Sequence, residues 1–358
     1  MKKQPWIDNA LLDGAFIIAP PFLSLLVILL FPGIFHNEQG ISTWWWVVLI
    51  LCIDVAHVYS TLYRTYFDKE TFRQQKNVLI VIPAVALLFA VIVYALSPVV
   101  FWRILAYLAV YHFVRQQYGF MRIYSRKEAF SKWNRFIDKV AIYYATFYPI
   151  LYWHLHAPRN FNWFVEGDFL YFQAPLLDGI ATWLYYLVIA VYLVKEVILV
   201  SRQHVFNLPR NLVIAGTFLS WYFGIVYFNG DLAFTLLNVV SHGIPYMALI
   251  WIHGRKKATT VQQQSYGKLL SRFFTRYGVL LFIVSLVLFA YVEEGLWDAW
   301  VWKEHDTVFP IFAAINFEPG KELMAIIVPL LALPQITHYI IDGYIWKVSR
   351  GHIPFKQN

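Results

Sequence analysis

Cysteine is almost missing from this chain: Cys52 is the single one in 358 residues. A disulfide framework and a thiolate metal site are therefore excluded. Charge is also scarce, with Asp, Glu, Lys and Arg at 14% against roughly a quarter in a soluble domain. There is no internal repeat, low-complexity tract or separate polar domain. Walker loops, nucleophile elbows and a convincing GxGxxG motif are absent, which removes the soluble-enzyme chemistries those motifs mark. The alternating pattern of an outer-membrane barrel is absent as well, because the apolar runs are continuous.

Hydrophobic residues supply 59% of the chain and the mean hydropathy is +0.54. Long uncharged runs recur throughout. The expected class is all-α: a polytopic integral membrane helical bundle forming one domain over 1–358. About ten segments approach the roughly 20 residues that a bilayer needs. They fall near 11–34, 43–63, 77–97, 99–122, 136–156, 180–200, 209–228, 231–253, 273–293 and 322–347. Met1-Lys2-Lys3 leads into the first without a small-residue cleavage motif, so that segment is expected to stay as a span. Many of the 15 Trp and 24 Tyr are expected in interfacial belts, the rest in packing or an apolar pocket.

The net charge of +8 invites a nucleic-acid reading. The basic residues, however, sit in short loops beside apolar segments, as membrane topology produces, so nucleic acid is excluded as a partner. Basic loops follow the second, fourth, sixth, eighth and tenth segments, around Arg64–Lys76, Arg122–Arg135, Lys195–Arg210, Arg255–Arg272 and Lys347–Lys356. The alternate loops are poor in Lys and Arg, and one is acidic from Glu293 to Glu318. The positive-inside rule then places both termini in the cytoplasm of a bacterial-type inner membrane.

Four histidines lie inside the even-numbered segments. His57 precedes Arg64 by seven residues, His112 precedes Arg122 by ten, His338 precedes Lys347 by nine and His242 precedes Arg255 by thirteen. At about 1.5 Å per residue, all four share a layer roughly 10 to 20 Å from the inner edge of a ~30 Å core. Ionisable groups are expensive at that depth and usually face the bundle interior. Asp54 precedes His57 by three residues and Asp342 follows His338 by four, so each carboxylate shares its histidine's helix face. There it can ligate a metal or accept the second imidazole N–H. Arg115 and Gln116 accompany His112, and Asn238 precedes His242 by four. One histidine alone reads as interhelical packing glue. Four at matched depth with two aspartates read as a metal site, and an imidazole-rich, thiolate-free set suits iron, copper or zinc.

His253 is expected at the inner interface, and His36, His154, His156, His204, His305 and His352 in or near solvated loops. Prolines 20, 21, 83, 149, 245, 329 and 334 interrupt helices; Gly243 with Pro245, and Pro334, are placed to bend two of them beside the histidines.

His57, Tyr111-His112-Phe113, Ser241-His242-Gly243 and Pro334…His338…Asp342 with a basic end resemble the Brp/Blh family of membrane β-carotene central-cleavage dioxygenases. The likeness covers a few residues around each histidine. The chain departs from the family in Asp54-Val55-Ala56-His57, in its greater length, and in lacking clustered histidines at the third motif. The resemblance implies non-haem iron on His57, His112, His242 and His338. The expected function is oxygen activation by one or two iron ions for attack on a lipophilic substrate, first a carotenoid-like polyene. A diiron lipid or acyl hydroxylase or desaturase is the alternative, although the HxxxH and HxxHH boxes are absent. Asp54 and Asp342 would be ligands or partners of ligands, Arg115 and Gln116 would contact a head group or oxygen, and an electron donor would be a further partner. From another class, a haem carrier or a transporter remains open.

Overall fold

The computed structural model describes residues 4–35, 40–128, 131–259, 266–315 and 317–346. It is 80% helical, with no strand among the described residues. Ten long helices succeed one another: α1 (Ala10–Leu30), α2 (Thr43–Arg64), α3 (Lys69–Leu96), α4 (Pro98–Tyr124), α5 (Lys132–Leu155), α6 (Pro175–Gln203), α7 (208–227), α8 (Asp231–Ala258), α9 (Gly278–Trp302) and α10 (Lys321–Ile345). Seven of these, α1, α2, α3, α6, α8, α9 and α10, are long and apolar enough to cross a membrane. The other three occupy expected spans but are more polar; α4 alone carries Arg103, Arg115 and Arg122. The basic tail from Lys347 to Lys356, with His352, and also His36, lie outside the described residues.

Polar caps start the helices where the sequence turns apolar. Asp68 accepts from the Glu70 and Thr71 amides, Ser131 from Asn134, and Asn207 from Arg210, with Pro209 in the first turn. The tight join between α3 and α4 rests on Ser97. Its extended backbone ends one helix, and its hydroxyl accepts from the Val100 amide as Pro98 opens the next.

The helix with His242, α8, runs through the centre of the bundle and is almost wholly buried, whereas α3 is peripheral. Two helices reach the centre through wide π turns, Val47–Val55 before His57 and Thr235–Val239 before His242. Such turns insert residues into the helix and re-aim the side chains beyond them. Pro334 opens the last stretch of α10, where the helix breaks at Ala332. Gly243 permits the closest contact: a Cβ there would sit 2.8 Å from Ile53 Cγ2 and 3.1 Å from Ile53 O. Any side chain at 243 would push α8 off α2.

One expectation is corrected at α9. Glu293, Glu294 and Asp298 do not open an outer loop; they are 4%, 8% and 4% exposed within the helix. Tyr59 donates to Glu293 Oε2 (2.5 Å) and Trp297 Nε1 to its Oε1 (3.3 Å), while Asp298 accepts the Glu304 and His305 amides. A hydroxyl from α2 and an indole N–H one turn along α9 itself therefore satisfy Glu293 within the helix.

Candidate metal centre

His57 from α2, His112 from α4, His242 from α8 and His338 from α10 converge on one point. They are 1%, 2%, 0% and 1% exposed, and one ring nitrogen from each lies within 4.8 Å of the others. His242 Nε2 is 3.1 Å from His112 Nε2 and 3.2 Å from His57 Nε2. The His338 ring centroid is 4.4 Å from that of His112 and 5.0 Å from that of His57.

A neutral imidazole has one N–H and one lone pair, so His242 Nε2, in contact with two other Nε2 atoms, cannot satisfy both by protons. At most one N–H···N bond forms there, and the other contact sets one acceptor against another. Burying an unsatisfied group costs about 1–3 kcal/mol. A cation resolves the conflict. Imidazole nitrogens bind at about 2.0–2.1 Å, which places neighbouring donors roughly 3 to 3.4 Å apart. The two Nε2 contacts of His242, at 3.1 and 3.2 Å, match that spacing, and the whole set lies within 4.8 Å.

The hydrogen-bond network also fixes a tautomer. Tyr246 donates to Asp342 Oδ1 (2.8 Å), and Thr61 Oγ1 lies 3.0 Å from the Tyr246 oxygen and 2.7 Å from His338 Nδ1. With the tyrosine proton committed to Asp342, the Thr61 hydroxyl donates to Tyr246 and accepts from His338 Nδ1–H. Nε2 of His338 is then the bare nitrogen, and it has no hydrogen-bond partner. On the outer side of two other rings, Asp342 Oδ2 is 3.7 Å from His112 Nδ1 and Asp54 Oδ1 is 3.7 Å from His57 Nδ1. Phe113 stacks on His242 at 3.7 Å.

The partners differ from those that sequence spacing implies. Asp342 shares a helix face with His338 but lies beside His112. Asn238 does not serve His242; its amide returns to Phe234 O (3.2 Å) across the π turn. Gln116 donates to the His242 carbonyl (2.8 Å), pinning α8 to α4, and Arg115 donates to Tyr143 (2.7 Å). Thr61 and Tyr246 are additional, and a signal for them existed. The residue four after each histidine is polar: Thr61, Gln116, Tyr246 and Asp342. The four form a second layer one turn nearer the basic end, and each serves a histidine-bearing helix other than its own.

Other histidines stay apart. His253 is buried rather than interfacial, its ring edge-on to Trp346 at 5.9 Å. His156 pairs with Asp178 at 3.5 Å and stacks on Tyr152, while His204 caps α6 with positive φ. No family model, no curated protein and no solved structure matches this chain. The reading therefore rests on the site.

Proposed function

We propose that the protein is a membrane-embedded non-haem iron oxygenase acting on a lipophilic substrate, with His57, His112, His242 and His338 as the ligands of a single iron. The convergence of four bare or conflicting imidazole nitrogens in the core carries this reading. One ion is favoured over two. Paired ions sit about 3.5–4 Å apart and need donors spread around both, whereas all four nitrogens lie within 4.8 Å and both carboxylates stand behind the rings. Haem is disfavoured, because rings from four helices at centroid distances of 4.4–5.0 Å leave no slab for a macrocycle.

Bound iron supplies the activation of molecular oxygen that an unsaturated chain needs if its double bond is to be cleaved into two carbonyl fragments. The chain's own groups hold the site. Asp342 fixes the His338 tautomer through Tyr246 and Thr61 and stands behind His112; Asp54 stands behind His57; Gln116 holds the His242 backbone. Oxidative cleavage consumes both oxygen atoms without an external reductant, so a polyene of the kind implied by the Brp/Blh resemblance is the first substrate reading. All ten helices are proposed to span an inner membrane, with the site in the cytoplasmic half.

Metal analysis of detergent-purified protein tests this directly. About one iron per chain is expected, falling at least tenfold in His242→Ala and His338→Ala. Stoichiometric zinc, or folded protein whose metal content ignores both substitutions, would sink the reading.

A further inference from the structure

A cavity of about 510 Å³ opens between α4 and α10 and runs from the basic end of the bundle to the histidine centre, within the ~300–1,000 Å³ range of ligand sites. His112, Tyr339 and Asp342 close its deep end, and Arg115, Arg122 and Arg135 stand towards its mouth. His112, Arg115 and Arg122 fall at i, i+3 and i+10 on α4, a single face, so the two arginines lie about 5 and 15 Å beyond the histidine.

These cations lack anions. Among the described residues, no carboxylate lies within ion-pair distance of Arg115, Arg122 or Arg135. Arg115 donates to the Tyr143 hydroxyl and lies over the face of Tyr118. Two acids line the cavity: Glu128 is turned to Asn207 (2.6 Å) and Arg210 (3.5 Å), and Asp342, at the deep end, accepts from the Tyr246 hydroxyl (2.8 Å). Two glycines, Gly119 and Gly343, line the space between, and a Cβ on either would meet nothing within 4 Å. Tyr111, 59% exposed on the lipid-facing side of α4, lies at the cavity edge.

We infer that this cavity binds a single-chain amphiphile with an anionic head, a carboxylate or a phosphate monoester, held by Arg115 and Arg122 with its chain over Gly119 and Gly343 towards His112. An unpaired guanidinium fork matches either head, and the lateral edge at Tyr111 admits a chain from the membrane. The inference rests on the oxygenase reading only in making this amphiphile the substrate; binding itself is independent of it.

The test is calorimetric titration of the full-length protein in dodecyl maltoside with palmitate, hexadecyl phosphate, hexadecanol and inorganic phosphate. Both amphiphilic anions should bind at least tenfold more tightly than hexadecanol, and inorganic phosphate should not compete. Arg122→Ala and Arg115→Ala should each weaken them at least tenfold, and Gly119→Leu should abolish binding. All three should keep wild-type metal content, which reports folding. Equal binding of hexadecanol would overturn the inference, as would competition by inorganic phosphate, which marks a free-anion site. Arg122→Ala and Gly119→Leu proteins that bind like wild type would overturn it too. Anion binding by a protein that holds no iron would sink the oxygenase reading and leave this one standing.

Discussion

Two of the buried polar clusters of this bundle differ in one respect. At the basic ends of α5, α6 and α7, Lys195 bonds Asp138 and Glu196, while Arg210 bonds Asp138 (3.0 Å) and Glu196 (2.5 Å) and approaches Glu128 (3.5 Å). Asn211 and Tyr192 complete the set: the Asn211 amide donates to Glu196 and the Tyr192 hydroxyl to the Asn211 carbonyl. Cations and carboxylates meet there within the chain. The histidine cluster brings acceptors onto acceptors and offers no cation. Both groups are buried and polar, so burial does not distinguish them; charge complementarity does. The first cluster is complete as a structure, whereas the second leaves ring nitrogens without partners, among them His338 Nε2.

This contrast can be broken by experiment. The largest effect is expected from Arg210→Leu, which strands Asp138 and Glu196 and should cost about 3–5 kcal/mol of stability, measured by denaturant unfolding in detergent. Metal per folded chain should not change; its loss would show that the two clusters are one system. Next comes Asp342→Ala, which removes the acceptor that anchors the Tyr246–Thr61–His338 relay and should weaken metal binding about 10–100-fold in chelator competition. Thr61→Val breaks the same relay at another link, so the double variant should be little worse than either single one. Additive losses would mean that the residues act separately. The smallest effect concerns Glu128, whose carboxyl burial pushes up from the ordinary 4.5 to about 7, against the pull of Arg210. The folded state then holds a proton that the unfolded state has released between those values, so this group makes stability fall as pH rises from about 4.5 to 7. Glu128→Gln should flatten the melting-temperature profile across that window; an unchanged slope would refute the assignment.

The meeting of the four histidines was legible because a shared layer comes from simple counting. A histidine's distance from its basic flank fixes its layer, and the shared layer of His57, His112, His242 and His338 does not depend on knowing how the helices pack. Counting cannot give rotation about each axis. Asp342 shares a helix face with His338, yet its Oδ2 stands 3.7 Å from His112 Nδ1 on α4, a neighbour that spacing along α10 does not reveal. The same gap hid the pairing of Gln116 with the His242 carbonyl. Glu293 and Glu294 misled for another reason: acids after an apolar run look like a loop, and the Tyr59 donor that reaches Glu293 comes from α2, a contact that sequence order does not show.

The four histidines are also ordered in time. Residues 57, 112, 242 and 338 leave the ribosome in that sequence, and the last lies on α10. The first three can be inserted and packed while the fourth is still being made. Until α10 arrives, the half-built centre lacks both His338 and Asp342, the anchor of its relay. On the proposed metal reading, capture of an ion would be coupled to the completion of synthesis, because a chain stalled before residue 338 lacks the fourth histidine of the group.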